Sequence, residues 1–279
     1  MTRYYLHAEN ASLALEALAK GRSCVRLSTD LNLSEQDFSL NNGALILDDE
    51  HRLCIDELKQ IAKKTRKIFL YREGDLDPLE DRSSGYYKLV PTTGAPLLEI
   101  SGVKMHISKG TDPFVSASEM AQQAVSNGDR VLDCCSGLGY SAIAAHRLGA
   151  REVVSIELSP EVMALRAQNP WSSDLGLEGI VQLQGSSYEL IVTMASASFD
   201  SVVHDPPRFS LAGELYSEAF YREIFRVLRR GGRLFHYTGN PHLLTKGSSF
   251  VDGVIRRLKA AGFNKVVRVE RLMGVSAQK

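Results

Sequence analysis

Residues Val131 to Ser141 read Val-Leu-Asp-Cys-Cys-Ser-Gly-Leu-Gly-Tyr-Ser, and they constrain the fold more than any other stretch. A buried apolar pair delivers a carboxylate, Asp133, and a turn with Gly137 and Gly139 then opens a helix. The next apolar run, Val153-Val154-Ser155-Ile156, ends in a second acid, Glu157. Strand, glycine turn, helix, strand and acid is the order that holds a nucleoside against a parallel sheet. The glycines permit close backbone approach and the acid takes ribose hydroxyls. A dinucleotide site needs Gly-x-Gly-x-x-Gly directly after the strand, so that a pyrophosphate sits on the helix N-terminus. Here no third glycine stands at that offset, and an acid precedes the glycines. That carboxylate repels a pyrophosphate and suits a cation. The Lys-Ser/Thr of a phosphate-binding loop is missing too. A zwitterion carrying a sulfonium matches these charges best.

Two further stretches follow in order. Phe199 to His204 reads as another buried strand, ended by Asp205-Pro206-Pro207-Arg208-Phe209. Consecutive prolines cannot continue a central ladder, so they fix the chain at the carboxyl edge of the sheet, where α/β proteins bind ligands. Next comes an amphipathic stretch, Glu218 to Leu228, with apolar residues at Phe220, Ile224, Phe225, Val227 and Leu228. Arg229-Arg230-Gly231-Gly232-Arg233 closes that helix and leads to a strand, Leu234 to Tyr237.

The three stretches together resemble the class I S-adenosylmethionine-dependent methyltransferases, whose first motif is the Asp-x-x-x-Gly-x-Gly turn and whose fourth is Asp/Asn-Pro-Pro-aromatic. The resemblance implies an α/β, Rossmann-like fold with a mostly parallel sheet. It implies S-adenosylmethionine as cofactor, held by Asp133, Ser136, Gly137, Gly139, Tyr140, Glu157, Leu158, Ser186 and Asp205. It also implies that Asp205, Pro206, Pro207 and Phe209 carry the catalytic role: in members that methylate an exocyclic amine, this segment accepts the amine hydrogens and stacks on the ring. In this chain the aromatic comes one place late, behind Arg208. That variant is similar to the Asp-Pro-Pro-x-Phe of some ribosomal-RNA methyltransferases. It is also similar to the His-Asp-Pro-Pro-Arg-Phe-Ser of little-characterised archaeal-type methyltransferases, a likeness that spans nearly the whole chain. The family's third motif carries Gly-Asp to hold the adenine amino group, whereas here Gly185 is followed by Ser186 and Ser187. A hydroxyl accepts the same bond more weakly.

The expected activity is therefore methyl transfer to a nucleobase nitrogen, with RNA as the acceptor class and RNA modification as the setting. A protein or small-molecule acceptor is the alternative, as is an aminopropyltransferase, which resembles the same fold and uses decarboxylated S-adenosylmethionine. A non-enzymatic cofactor-binding scaffold is a third reading. Pyrimidine C5 chemistry uses an attacking cysteine, and Cys24, Cys54, Cys134 and Cys135 all lie upstream of Asp205.

Other residues carry two readings each. Asp205 orients or deprotonates the acceptor, or caps the turn before Phe209. His204 is a hydrogen-bonded core histidine rather than a catalyst. His236 and Tyr237 border the pocket, with Tyr237-Thr238-Gly239-Asn240-Pro241 as one wall. The resemblance implies that Lys109-Gly110-Thr111-Asp112-Pro113, which precedes the first strand, can fold over the cofactor. Asn169-Pro170-Trp171 is either a helix stop with core packing or a substrate platform.

Formal net charge is zero, which argues against a sequence-independent grip on nucleic acid and leaves room only for a local patch. Lys63-Lys64-Thr65-Arg66-Lys67 and the Arg226 to Arg233 cluster read as solvated helix ends. No apolar run approaches the ~20 residues of a membrane span, the N-terminus lacks a secretion signal, and a cytoplasmic protein is expected. Cys134 and Cys135 read as packing residues, and no cysteine or histidine spacing indicates a metal site.

At 279 residues the chain exceeds one average domain. Residues 1–106 read as a small α+β domain. Its expected elements are a helix from Ala8 to Lys20, a hairpin about Asn42-Gly43, and a polar break from Asp75 to Gly85. Residues 107–279 read as the methyltransferase-like domain, beginning with a helix over 116–126. Alternation then follows, with strands at 130–135, 152–157, 180–184, 199–204 and 233–238 and a last one near 265–269. Only 271–279 is left for the family's antiparallel return strand, which is expected to be short or absent.

Overall fold

The computed structural model describes residues 3–107, 110–239 and 247–279. The chain divides into two compact units, Met1–Pro113 with Ala167–Trp171, and Phe114–Arg166 with Ser172–Lys279.

In the first unit, the helices Ala8–Ala19 and Ile55–Ala62 cover short antiparallel sheets. Leu6, Ala11, Ala14, Leu45, Leu53, Leu58 and Ile61 form its core. The hairpin about Asn42-Gly43 joins Gln36–Asn41 to Ala44–Ile46. Two elements differ from the sequence expectation. Tyr4–His7 is a strand paired with Ile68–Arg72. The polar break contains strands Asp75–Pro78 and Glu80–Asp81. Glu73 and Gly74, at φ 53° and 90°, turn the chain so that Asp75–Pro78 pairs back on Ile68–Arg72. An edge strand this polar has no apolar alternation to betray it.

The second unit is a doubly wound sheet. Its strands are β1 (Arg130–Cys134), β2 (Glu152–Glu157), β3 (Ile180–Gln184), β4 (Phe199–His204), β5 (Leu228–Tyr237), β6 (Asn264–Val269) and β7 (Gly274–Gln278). Their order is β3-β2-β1-β4-β5-β7-β6. The first five are mutually parallel, while β7 runs antiparallel between β5 and β6. The return strand is thus present, five residues long. The helices are α1 (Pro113–Gln122), α2 (Tyr140–Arg147), α3 (Pro160–Arg166), α4 (Ser187–Leu190), α5 (Glu218–Val227) and α6 (Gly247–Ala260). Winding goes from β1 outward to β3, then crosses back to β4. The carboxyl ends of β1 and β4 therefore flank the switch point at which open α/β sheets bind ligands.

Ser217 caps α5 by accepting the Phe220 N–H at 3.1 Å. The α5 residues Phe220, Tyr221, Ile224 and Val227 fall on one face at helical spacing and are fully buried. They pack with Val254 and Leu258 of α6 against Leu132, Val202 and Leu234 of the sheet.

One correction concerns the arginines after α5. The helix stops at Val227, and Arg229 to Arg233 belong to β5, across a register irregularity opposite Phe199–Ser201. There Arg229 and Arg233 are paired with acids at the amino edge of the sheet, while Arg230 is exposed. Arg229 bonds Asp200 at 2.6 Å and Arg233 bonds Asp129 at 2.7 Å. Arg151 pairs with Asp200 at 3.2 Å, and Arg130 pairs with Glu152 at 2.8 Å.

Candidate active site

The carboxyl end of β1 carries Asp133, which is fully buried. Its Oδ1 accepts from the Ser141 hydroxyl at 2.9 Å, and its Oδ2 is buried with no partner among the described residues. Burial pushes this carboxyl up to about 7. The Ser141 bond and the Arg166 guanidinium oppose the rise, and the Glu157 charge adds to it.

The turn after Asp133 needs three left-handed backbone positions: Cys135 (φ 63°), Gly137 (φ 54°) and Gly139 (φ 80°). The Ser136 N–H donates to the Ile156 carbonyl at 2.8 Å, which ties the turn to β2. The Gly137 N–H donates to Glu157 Oε2 at 2.8 Å, and the Ser159 N–H to Oε1 at 2.9 Å. Both Glu157 oxygens keep a lone pair for a ligand. A Cβ on Gly137 would meet nothing within 4 Å, so open space lies beside the turn. A Cβ on Gly139 would lie 2.5 Å from Leu175 Cδ1. Gly139→Ala therefore combines a left-handed penalty with overpacking and is expected to cost about 2–4 kcal/mol. Urea denaturation measures it, and a loss near zero would show that Leu175 yields freely.

The other expected cofactor residues are placed as follows. Leu158, directly after Glu157, is 66% exposed. Tyr140 is buried edge-on against Phe114, with ring centroids 5.6 Å apart. Ser186 is half-buried at the start of α4 and accepts the Glu189 and Leu190 N–H groups through its carbonyl.

Asp205 follows β4, and its N–H donates to the Cys134 carbonyl at 3.4 Å, which sets it beside the glycine turn. Burial raises its carboxyl to about 7, with the charge of Asp133 adding to the effect. Pro206 is buried, and Pro207 is fixed by the Tyr216 hydroxyl, which donates to its carbonyl at 2.9 Å. Phe209 is 51% exposed, supported edge-on by Tyr216 and Phe250 at 5.6 Å each. The structure thus brings Asp133, Ser136, Gly137, Glu157 and Asp205 to one edge, with Phe209 projecting from the same segment.

His204 is buried, with its Nε2 at 3.0 Å from the Leu215 carbonyl. His236 differs from expectation: it is fully buried and contacts the Tyr221 hydroxyl at 2.9 Å, so it supports the edge from beneath instead of bordering the pocket. Burial lowers both imidazoles, His204 to about 4, and both are neutral near pH 7. Their rings lie 4.5 Å apart, a spacing that two imidazolium ions would oppose. Tyr237 is half-buried, and burial together with the Asp205 charge raises its phenol.

Asn240, Pro241 and Lys109 lie outside the described residues. Asp112 accepts the Ala95 N–H at 2.7 Å within the first unit. Trp171 donates its indole N–H to the Leu31 carbonyl at 2.7 Å, also within that unit, which favours packing over a platform. Burial raises the thiols of Cys134 and Cys135 far above their usual range, so neither is a nucleophile near pH 7. Among the described residues, no His/Cys/Asp/Glu group could hold a metal ion and no helix is long and apolar enough to cross a membrane. Sequence reasoning missed Arg166, Ser141 and Tyr216, of which only Ser141 stands inside a recognised motif.

Residues 132–236 match the methyltransferase domain family. An uncharacterised protein of Methanocaldococcus jannaschii is 42% identical over 96% of this chain and 94% of its own length. The ribosomal RNA large subunit methyltransferase I of Aeromonas hydrophila is 29% identical over 57% of the chain. The ribosomal protein L11 methyltransferase of Shouchella clausii is 30% identical over 63%. The chain spans about half the length of these last two relatives, 44% and 51%. Among solved structures, the spermidine synthase of Thermotoga maritima has a similar fold, with a TM-score of 0.56 at 14% identity over 71% of this chain and 70% of that one.

Proposed function

The chain belongs to one family with the Methanocaldococcus jannaschii protein and is an S-adenosylmethionine-dependent methyltransferase, and from that premise we propose that it methylates a nucleobase nitrogen, with RNA as the acceptor. The observation that carries this reading is one segment combining a half-buried acid, Asp205, with a half-exposed aromatic, Phe209. A flat heteroaromatic amine can stack on the ring while its N–H donates to the carboxylate. The two relatives whose names print an acceptor differ, one ribosomal RNA and one ribosomal protein, so the reading rests on this segment.

The residues fit the cofactor. Asp133 Oδ2 is a buried acceptor with no donor among the described residues, which suits the methionine ammonium. The open space at Gly137 admits a close ligand. Glu157 keeps acceptor capacity for ribose hydroxyls, Leu158 offers an apolar surface to adenine, and Ser186 offers a hydroxyl at the adenine end. Ser136 is drawn inward by Arg166. When bound, S-adenosylmethionine supplies an electrophilic methyl group.

The protein contributes alignment and proton acceptance. Asp205 accepts the amine N–H, which turns the nitrogen lone pair toward the methyl group, and takes the proton released once the nitrogen is methylated. Pro206 and Pro207 hold that carboxylate rigid, and Tyr216 pins Pro207. The neutral His204–His236 pair keeps the floor free of positive charge.

Tritiated-methyl transfer into extract from a strain lacking the gene tests the acceptor. Label is expected in the RNA fraction. Label in protein or small molecules alone would overturn the nucleobase assignment. Incubation with putrescine and decarboxylated S-adenosylmethionine is expected to yield no polyamine, and a polyamine product would establish the aminopropyltransferase instead. Phe209→Ala is expected to raise KM for RNA about tenfold with kcat retained, since stacking contributes about 1–3 kcal/mol per base. Steady-state kinetics reads this, and an unchanged KM would remove Phe209 from the acceptor site.

A further inference from the structure

Arg166, the last residue of α3, is 3% exposed. A buried guanidinium is rare and needs hydrogen bonds and compensating charge. Its Nη1 donates to the Ser136 hydroxyl at 2.9 Å and to the Gly137 carbonyl at 3.3 Å. Its Nη2 is buried with no partner among the described residues. Arg166 therefore grips the outer curve of the turn whose inner N–H groups reach Glu157 and the Ile156 carbonyl.

We propose that Arg166 is a positioning residue for cofactor binding: it clamps the Ser136–Gly137 turn and supplies countercharge beside the Asp133 and Glu157 carboxyls that would meet a cationic ligand. The inference rests on the reading of this turn as the S-adenosylmethionine site. Three acids meet here: Asp133 near the carboxyl end of β1, Glu157 ending β2, and Asp205 just after β4. Facing Asp133 are Glu157 from β2, the Ser141 hydroxyl from α2, the neutral Cys134 beside it, and Arg166 from α3; Asp205 completes the group after β4. Arg166 is the sole cation acting on Asp133 among the described residues, and Glu157 and Asp133 are the charges that stabilise it in turn. Without it, three carboxyls share one edge with no opposing cation on Asp133 among the described residues, and the Asp133 carboxyl is pushed further up. A clamp acting through the turn does not depend on any one group of the ligand, whereas a direct contact to the methionine carboxylate would.

Calorimetric titration of S-adenosylmethionine and of decarboxylated S-adenosylmethionine, between about pH 5.5 and pH 8, separates these roles. The proteins compared are wild type, Arg166→Met, Arg166→Lys and Asp133→Asn. Wild-type affinity is expected to rise with pH as Asp133 ionises. In Arg166→Met the midpoint of that rise moves up by about one pH unit, and affinity at pH 7 falls about tenfold or more. Arg166→Lys, which keeps the charge, restores the midpoint but not the full affinity. An ammonium cannot reproduce the planar fork that serves Ser136 and Gly137 together. Both ligands weaken equally. An unmoved midpoint in folded Arg166→Met would reduce Arg166 to packing, and a loss confined to S-adenosylmethionine would make it a direct carboxylate contact. If the neutral variant does not fold, full affinity in Arg166→Lys overturns the clamp. Unaltered binding in Asp133→Asn sinks the underlying site reading instead, leaving the two failures distinct.

Discussion

Asp133→Asn is expected to lower the affinity for S-adenosylmethionine by about 100-fold while making the ligand-free protein more stable at pH 8. The affinity loss follows from exchanging a carboxylate for an amide opposite an ammonium, since hydrogen bonds to charged groups contribute about 1.5–3 kcal/mol. The stability gain follows from the raised carboxyl. A group whose folded pKa lies above its unfolded value favours the fold below that unfolded value, near 4, and loses this contribution as pH rises through about 7. Asp133's own contribution to the stability of the ligand-free protein therefore falls from about pH 4 to pH 8, and the asparagine variant lacks that fall. Urea midpoints of both proteins at about pH 5 and pH 8 measure the difference. If the gap between wild type and variant is the same at both values, Asp133 is not the group under strain. Saturating ligand should restore the wild type most at high pH, because the ammonium then meets an ionised partner.

Asp205→Asn is expected to reduce kcat by about 10²–10⁴ with a far smaller change in KM, because the amide still orients an amine but accepts no proton. Burial and the neighbouring Asp133 charge hold this carboxyl up near 7, and only its ionised form can act. Wild-type turnover should accordingly climb with pH through about 7 and then level off, with a slope of one proton. Single-turnover rates at saturating acceptor measure this step. A rate independent of pH across that range, or a variant with unaltered turnover, would confine Asp205 to capping the turn before Phe209.

The doubly wound sheet was legible in the sequence because its strands are apolar runs punctuated by Gly137-Leu138-Gly139 and Pro206-Pro207. Those interruptions follow from backbone geometry and need no knowledge of tertiary contacts. Polar strands were not legible: Asp75–Pro78 forms because Glu73 and Gly74 reverse the chain, and its side chains carry no period. Arg229 and Arg233 looked like part of a solvated helix end because their acids, Asp200 and Asp129, come from segments remote in sequence. His236 was misplaced for a related reason: its partner Tyr221 lies on α5, and strand alternation alone did not reveal which side of β5 faces that helix. Arg166 was invisible as a site residue, since an arginine at a helix end normally reads as solvent-facing. Only the fold turns it inward onto Ser136.

The acids and arginines at the amino edge of the sheet have a consequence for how this protein can change over generations. Arg130, Arg151, Arg229 and Arg233, with Glu152, Asp200 and Asp129, fasten β1, β2, β4 and β5 at the end remote from Asp205 and Phe209. Fastening and the recognition proposed for Asp205 and Phe209 thus occupy opposite ends of the same strands. On that proposal, substitutions in the segment after β4 would alter what is recognised while leaving the fastening untouched. Descendants of such a chain can exchange one methyl acceptor for another without passing through an unfolded ancestor.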